Sequence, residues 1–442
     1  MVKLVIVFSF LDTLANNISR SYQMLFYPAW LIVLLSLVPL VTSANEELMS
    51  MPDPRTADAS ILMLSFAQRT GLDSDRPPRR YLWTDAFAVC NYLGLARETG
   101  EQRYKELALR LIDQVHHVLG RYRDDDPRSG WISGLSAEDG ETHPTRGGLR
   151  IGKQLPERGE SEPFNERLEW ERDGQYFHYL TKWMHSLDQT SRSTDDPEFN
   201  VWARELAVTA YDAFTYLPSP DGTPSMYWKM SIDLTRPLVP SMGQHDPIDG
   251  YITAMQLRAT VAGLSQSIDN PDLEKAIRRF ADMTNVANLA SPDPLGIGGL
   301  LVGAYRVAQL IEQGGLSDED LLEHLLTASL AGLEYYARSE ELRAPAESRL
   351  AFRELGLAIG LHAVDHMWQS VTENHTTISP GVNTKLEALM RYMSLGDEIE
   401  SFWRTPAHQD TSTWSEHQDI NEVMLATRLA PDGFLVLALP EK

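Results

Sequence analysis

Three aspartates stand near the starts of apolar segments, each beside an aromatic or histidine neighbour: Asp85 in Y-L-W-T-D-A-F, Asp173 in W-E-R-D-G-Q-Y and Asp246 in Q-H-D-P-I-D. Hydrolysis of a glycosidic bond uses two carboxyl groups, one protonated and one ionised. We therefore interpret Asp85, Asp173 and Asp246 as candidate catalytic acids. The alternative for each one is structural, because an acid in the first turn of a helix also caps free N–H groups and complements the helix dipole.

Aromatic and polar side chains near these acids form a second set of candidates. Flat aromatic faces suit the apolar faces of sugar rings, and cations and histidines suit hydroxyl or carboxylate groups. The segment 226–250 is dense in such side chains and is read as a functional loop. The candidate substrate-binding residues are Trp83, Tyr176, His178, Trp228, Lys229, Arg236, His245, Trp414, Glu416 and His417.

Several other motifs are interpreted as structural. The run G-G-L-R-I-G-K-Q at 147–154 departs from a phosphate-binding loop, because Gln154 stands where a hydroxyl residue belongs. His362 and His366 resemble part of an inverted zinc motif, but Asp365 replaces its glutamate. His408 with Asp410, and His417 with Asp419, have spacings that could hold a metal, but nothing fixes a third ligand. We therefore expect no metal and no cofactor. Glu354, within an apolar helix, is expected to be an arginine-paired structural acid.

The elements that would position these residues are helices. Residues 84–98 are apolar on nearly every face, whereas residues 102–119 alternate apolar and charged positions. A helix that is apolar all round is buried, and an amphipathic helix covers it. The same alternation continues at 56–69, 170–187, 199–216, 248–264, 271–287, 298–313, 317–337, 348–369, 383–392 and 415–429. This pattern predicts an all-α fold of about six helical hairpins, with no strand segments.

The lengths of the connections indicate where function lies. Connections from a buried helix to its covering helix are short, whereas the three longest, 122–169, 217–247 and 394–414, lead toward the next buried helix. If the hairpins form a ring, the long loops gather on the rim where the buried helices begin. Binding and catalytic residues concentrate on long loops held by a rigid scaffold.

The alternating helices, with Y-L-W-T-D-A-F and D-G-Q-Y-F-H-Y-L at the starts of buried helices, resemble the six-hairpin glycosidase-like superfamily. The resemblance extends from about Thr56 to the C-terminus. It implies an (α/α)6 toroid and a chemistry among those of glycosidases, unsaturated glucuronyl hydrolases and sugar epimerases. The resemblance is architectural, so no catalytic residue is carried over from any one family.

Composition sets further bounds. The chain of 442 residues is 43% hydrophobic, with a formal net charge of −23 that disfavours nucleic acid as a partner. Residues 25–44 are an uncharged apolar run followed by Glu46 and Glu47, which predicts a signal peptide or a membrane anchor within 1–50. We expect residues 51–442 to form one extracytoplasmic domain, secreted or attached to the membrane. Cys90 stands alone, in an apolar setting typical of a core residue.

These patterns predict a glycoside hydrolase-like enzyme acting on oligosaccharides. Two alternatives stay open. One is a sugar epimerase or polysaccharide lyase, in which His178, His245 and His417 would outrank the acids as proton carriers. The other is a non-catalytic protein that binds glycans.

Overall fold

A computed structural model describes residues 53–219, 222–263, 271–373 and 379–437. These residues all belong to one compact unit, Met51–Lys442. The predicted signal peptide or anchor at 1–50 lies outside the described residues and stays a prediction.

The described residues contain 18 α-helices: α1 Pro54–Arg69, α2 Leu82–Thr99, α3 Gln102–Leu119, α4 Ala137–Thr142, α5 Glu166–Glu171, α6 Phe177–Thr194, α7 Pro197–Phe214, α8 Asp246–Gly263, α9 Glu274–Met283, α10 Pro294–Glu312, α11 Glu319–Tyr336, α12 Ala351–Glu373, α13 Pro380–Met390, α14 Met393–Trp403, α15 Pro406–Gln409, α16 Ser412–Ser415, α17 Gln418–Leu429 and α18 Asp432–Leu435. The strands are β1 Gln175–Tyr176, β2 Thr215–Tyr216, β3 Ser225–Met226, β4 Lys229–Met230 and β5 Pro237–Val239.

The helices form a closed double ring. The inner helices α2, α6, α8, α10, α12 and α17 each pack against the next, and α17 packs against α2 to close the circle. The outer helices cover them: α3 lies on α2, α7 on α6, α9 on α8, α11 on α10, α13 and α14 on α12, and α1 on α17. The predicted all-α (α/α)6 toroid is confirmed.

The inner helix α2 shows why the sequence separates the two rings. Every residue from Leu82 to Leu95 is buried. The helix starts where the Asp85 carboxylate accepts a hydrogen bond from the Tyr81 backbone N–H at 2.8 Å, and it ends at Gly100, whose φ of 70° suits glycine. The next helix, α3, buries only the stripe that faces α2.

Small residues allow α10 and α12 to approach closely. A Cβ added at Gly298 would lie 2.1 Å from the carbonyl oxygen of Gly356, so only glycine fits at this crossing. Among the described residues, α10 is also the one helix long and apolar enough to cross a membrane. Its position in the inner ring accounts for that composition.

Two predicted boundaries are wrong. The buried helix expected at 170–187 begins later, at Phe177, because Gly174 has a φ of 145° and Gln175–Tyr176 pairs with Lys229–Met230 as a short antiparallel strand. The loop expected at 394–414 instead contains three helices, including α14, which packs on α12. Its sequence, M-S-L-G-D-E-I-E-S-F-W, carries an internal glycine that made it resemble a loop. The five strands form only two small sheets on the long loops, ordered β1-β4-β5 and β2-β3.

The C-terminal segment enters the ring. The short helix α18 packs against α2, α6 and α10. Gly433 lies so close to α2 that an added Cβ would be 2.2 Å from the Cys90 carbonyl oxygen. The Phe434 ring stacks on that of Phe87, with centroids 4.2 Å apart. This segment closes one end of the space enclosed by the inner helices.

Candidate active site

A cavity of about 370 Å³ opens among the inner helices. Its walls come from the first turns of α2, α6, α8 and α10, from the loops before α8 and α10, and from deeper residues of the ring. The polar and aromatic lining residues are Trp83, Phe87, His178, Lys182, His185, Trp228, Gln244, His245, Asp246, Asp249, Ser291, Asp293, Arg306 and Phe434. The cavity therefore meets the rim where the sequence predicts function.

Asp246 is the first residue of α8 and is almost fully buried in the cavity wall. Its Oδ2 atom has no hydrogen-bond partner among the described residues. Burial, reinforced by the negative charge of Asp249, raises the pKa of Asp246 to about 7. The carboxyl group therefore holds its proton into the neutral range, as a general acid must.

Asp249 lies one turn further along the same helix and, unlike Asp246, is surrounded by positive charges. Lys182 Nζ donates to its Oδ2 atom at 2.7 Å, Thr181 Oγ1 donates to the same atom, and Arg306 Nη1 lies 3.7 Å from its Oδ1 atom. Burial alone would raise the pKa of Asp249, but the charges of Lys182 and Arg306 and these hydrogen bonds hold it at about 2. Asp249 is thus ionised beside a protonated neighbour.

Two histidines share the wall with this pair. His178 Nδ1 is buried without a hydrogen-bond partner among the described residues and lies 4.0 Å from Asp246 Oδ1. Burial, together with the charge of Lys182, lowers the pKa of His178 to about 4. His245 Nε2 lies 2.7 Å from the Leu289 carbonyl oxygen, and burial lowers its pKa as well. Both imidazoles are neutral at pH 7.

Aromatic rings lead from the cavity to the surface. Trp228 stacks beside His178, with centroids 5.9 Å apart and planes 14° apart. Tyr176 packs behind Trp228 at 5.2 Å, outside the cavity lining. On the outer side, Trp170 meets Trp228 edge to face at 4.8 Å and is 46% exposed. Elsewhere in the lining, Trp83 packs against Phe87 at 4.3 Å.

A buried polar network supports the deepest cavity residues. Arg306 Nε donates to Gln256 Oε1 at 2.8 Å, and Gln256 Nε2 donates to Asp188 Oδ2 at 2.6 Å. His185 Nδ1 lies 3.1 Å from the same Gln256 oxygen. This network fixes Arg306, which in turn faces Asp249.

Asp85 and Asp173, the other predicted catalytic acids, are not among the lining residues. Asp85 caps α2 and lies 3.5 Å from Arg80 Nη1, and burial raises its pKa to about 6. Asp173 is fully buried; its Oδ2 accepts from Arg150 Nη1 at 2.8 Å. Its Oδ1 accepts from the Gly152 backbone N–H at 2.9 Å. The structure thus places both carboxylates in structural ion pairs.

Some of the predicted substrate-binding residues line the cavity, and the others lie outside it. Trp83, His178, Trp228 and His245 line the cavity. Lys229 is fully buried, and its Nζ atom donates to the carbonyl oxygens of Glu169 at 2.6 Å and Arg172 at 2.8 Å.

Four further predicted residues lie away from the lining. Arg236 donates to the Arg158 carbonyl oxygen at 2.6 Å. Trp414 is buried against Trp403, Glu416 is exposed, and His417 lies beside Phe352.

Sequence reasoning missed Lys182 and Arg306, which set the charge of Asp249. Lys182 lies four residues after His178, on the same face of α6, and this spacing was the available signal. Arg306 is a single cation within the apolar helix α10, a position that is costly without a partner. Glu354 is arginine-paired as expected, through Arg349 Nη2 at 2.6 Å.

No protein-family model matches the sequence, and no curated protein matches it. Solved structures are similar to the chain in fold. A glycoside hydrolase family 76 α-mannanase from Bacteroides thetaiotaomicron matches with a TM-score of 0.49 and 10% identity, over 86% of this chain and 96% of that one. A sugar epimerase from a ruminal bacterium matches with a TM-score of 0.41 and 9% identity, over 77% and 86%. A cellobiose 2-epimerase from Spirochaeta thermophila matches with a TM-score of 0.41 and 11% identity, over 79% and 86%.

Proposed function

We propose that this protein is a carbohydrate-active enzyme of the glycoside hydrolase type, acting on oligosaccharides in the central cavity. The observation that carries the proposal is the pair Asp246 and Asp249. One carboxyl group keeps its proton up to a pKa of about 7 and the other ionises at about 2. These two pKa values supply the one protonated and one ionised carboxyl group that glycoside hydrolysis requires.

In the proposed reaction, Asp246 gives its proton to the oxygen that leaves as the glycosidic C–O bond breaks. The positive charge that develops on the sugar ring is stabilised by the ionised Asp249 carboxylate. Water then adds its hydroxide to the anomeric carbon, and its remaining proton returns to Asp246, either directly or through the neutral His178. Bond cleavage thus consumes one water and leaves the enzyme unchanged.

The lining favours a sugar over an extended apolar ligand. Trp83 and Trp228 contribute aromatic surface to the lining, and Lys182, Gln244 and Asp293 contribute hydrogen-bonding groups to it. A volume of about 370 Å³ suits a small number of sugar units. The closed end beneath Phe434 favours a substrate that enters from the rim.

A sugar epimerase is the second candidate, and the two histidines favour it. His178 and His245 both line the cavity and are neutral at pH 7, so either can accept a proton from a carbon beside a carbonyl group. A polysaccharide lyase would use the same groups. A glycan-binding protein would use the aromatic faces without any proton transfer.

Product analysis separates these candidates. The purified protein is incubated with a panel of oligosaccharides at pH 6, and the products are examined by NMR. New reducing ends indicate hydrolysis, inversion of one stereocentre indicates epimerisation, and a new double bond indicates a lyase. Binding without any product in the whole panel would contradict the enzyme proposal and favour a glycan-binding protein.

The export of the protein is a separate proposal, carried by the apolar run 25–44. Under this proposal, the domain is located outside the cytoplasm, either secreted or attached to the membrane. Fractionation of the producing cells tests it. A cytosolic protein with an intact N-terminus would contradict it.

A further inference from the structure

A cluster of two histidines and one aspartate lies where α12 meets the C-terminal segment. His362 and His366 are four residues apart on α12, and Asp432 begins α18. One ligand atom from each residue lies within 4.8 Å of the other two. Two histidines at this helical spacing point the same way, and a carboxylate from a separate segment completes the set of three.

The environment of the cluster allows an ion to reach it. The His366 side chain is 20% exposed and that of Asp432 is 41% exposed. His366 Nε2 lies 2.9 Å from Asp432 Oδ1. The Tyr305 ring stacks on His366, with centroids 5.4 Å and planes 16° apart, which orients the imidazole. Imidazole nitrogen with carboxylate oxygen is a ligand set suited to zinc and related divalent ions.

Arg428 is the competitor for this site. Its Nη1 atom lies 2.9 Å from His362 Nδ1. A guanidinium only donates hydrogen bonds, so Nδ1 accepts and the neutral ring carries its proton on Nε2. An ion that binds Nδ1 must displace Arg428, and an ion that binds Nε2 must move the proton to Nδ1, which also breaks the hydrogen bond with Arg428. Arg428 keeps ionic partners in either case, with Asp397 at 2.8 Å and Glu400 at 3.2 Å.

We propose that His362, His366 and Asp432 bind one divalent transition-metal ion, with zinc the best match, and that the ion ties the C-terminal segment to α12. Two residues after Asp432, Phe434 lines the cavity and stacks on Phe87. An ion held by Asp432 would thus fasten the residue that closes the candidate active site. Three protein ligands leave a coordination position for water, but the role assigned here is structural.

The proposal is tested by metal binding to the full-length protein, prepared without a polyhistidine tag and treated with a chelator. Calorimetric titration with Zn²⁺ is expected to show one ion per chain. Co²⁺ is expected to give the visible absorption of a nitrogen- and oxygen-ligated ion. The variants His366→Gln and Asp432→Asn are expected to weaken Zn²⁺ binding by more than about 100-fold, because even second-shell partners contribute 10–100-fold.

The matched control is His324→Gln, which changes an exposed histidine on α11 and should leave binding unchanged. Circular dichroism checks that each variant is folded. Hydrogen exchange tests the tether: Zn²⁺ should slow exchange of the amides at 432–437 in the parent and not in His366→Gln. The site is overturned if the parent shows no saturable Zn²⁺ binding. It is also overturned if His366→Gln and Asp432→Asn both bind Zn²⁺ as tightly as the parent. Binding without slower exchange at 432–437 overturns its tethering role.

Discussion

The carboxyl groups of Asp246 and Asp249 lie one helical turn apart on α8, yet their pKa values are about 7 and about 2. Asp246 is buried against a negative neighbour, whereas Lys182 and Arg306 surround Asp249. The backbone supplies the spacing, and two cations from α6 and α10 supply the difference in charge.

Replacing Asp246 with asparagine should abolish most activity without unfolding the protein. The substitution keeps the side-chain shape and removes the proton that the leaving oxygen needs. We expect turnover to fall by about 10²–10⁴ on any oligosaccharide that the parent cleaves. Initial rates measure the loss, and circular dichroism confirms the fold. A folded variant with parental turnover would contradict the assignment of Asp246 as the acid.

The pH profile of kcat/KM should fall on its alkaline side as Asp246 loses its proton, near pH 7. On the acid side, Asp249 stays ionised down to about pH 2. The charge of Lys182 lowers the pKa of both carboxyl groups, so Lys182→Met should move the alkaline limb to higher pH. A limb that moves downward, or does not move in this variant, would show that another group controls it.

Asp173→Asn should reduce stability and leave the chemistry unchanged. The substitution removes the buried carboxylate and leaves Arg150 without its 2.8 Å partner. Breaking a buried ion pair from one side costs about 3–5 kcal/mol in the free energy of unfolding. Urea denaturation measures this cost. Asp124→Asn, on an exposed acid of the same loop region, is the control and should change stability by less than about 0.5 kcal/mol.

Trp170→Ala should weaken binding of longer oligosaccharides more than binding of short ones. Trp170 is 46% exposed and touches Trp228, so it extends the aromatic surface beyond the cavity. An aromatic contact contributes about 0.5–1.5 kcal/mol, equivalent to a roughly 2- to 12-fold change in Kd. Calorimetry with a series of chain lengths tests this. Tyr335→Ala, which removes a 66% exposed ring on α11, should change none of these affinities.

Gly433→Ala should displace the C-terminal segment. The added methyl group would lie 2.2 Å from the Cys90 carbonyl oxygen and 2.9 Å from the Gly94 Cα atom, both backbone atoms of α2. Overpacking of this kind costs about 1–3 kcal/mol and should lower the melting temperature. Gly299→Ala is the matched control, because an added Cβ there meets nothing within 4 Å. That variant should melt no lower than the parent, since alanine favours helix by about 1 kcal/mol.

The sequence predicts the double ring well because burial follows local helical periodicity. The α2 and α3 boundaries match the expected hairpin closely, since apolar faces and the Thr99-Gly100 stop are encoded locally. The helix α14 was missed because its internal Gly396 interrupts a short amphipathic pattern.

The acids were harder to separate because their partners are distant in sequence. Asp85 and Asp246 both lie in the first turn of an inner helix, and local composition does not distinguish them. Asp85 faces Arg80, five residues away, whereas Asp249 beside Asp246 faces Lys182 from α6, 67 residues away. Asp173 is ionically paired with Arg150, 23 residues earlier along a long loop. These pairings depend on how the helices and loops pack, which local composition does not encode.

Closure of the inner ring has a consequence for how the chain folds. The final contact joins α2 to α17, where Thr427 Oγ1 donates to Asn91 Oδ1 across 336 residues of sequence. Contacts between residues so distant in sequence form late, because closing the long intervening chain costs entropy before the contacts can stabilise the fold. A growing polypeptide cannot make this contact until its last helices have been synthesised. Until then, the apolar faces of α2 and α12 that α17 covers in the finished ring stay exposed. We expect productive folding to depend on protection of these faces during synthesis.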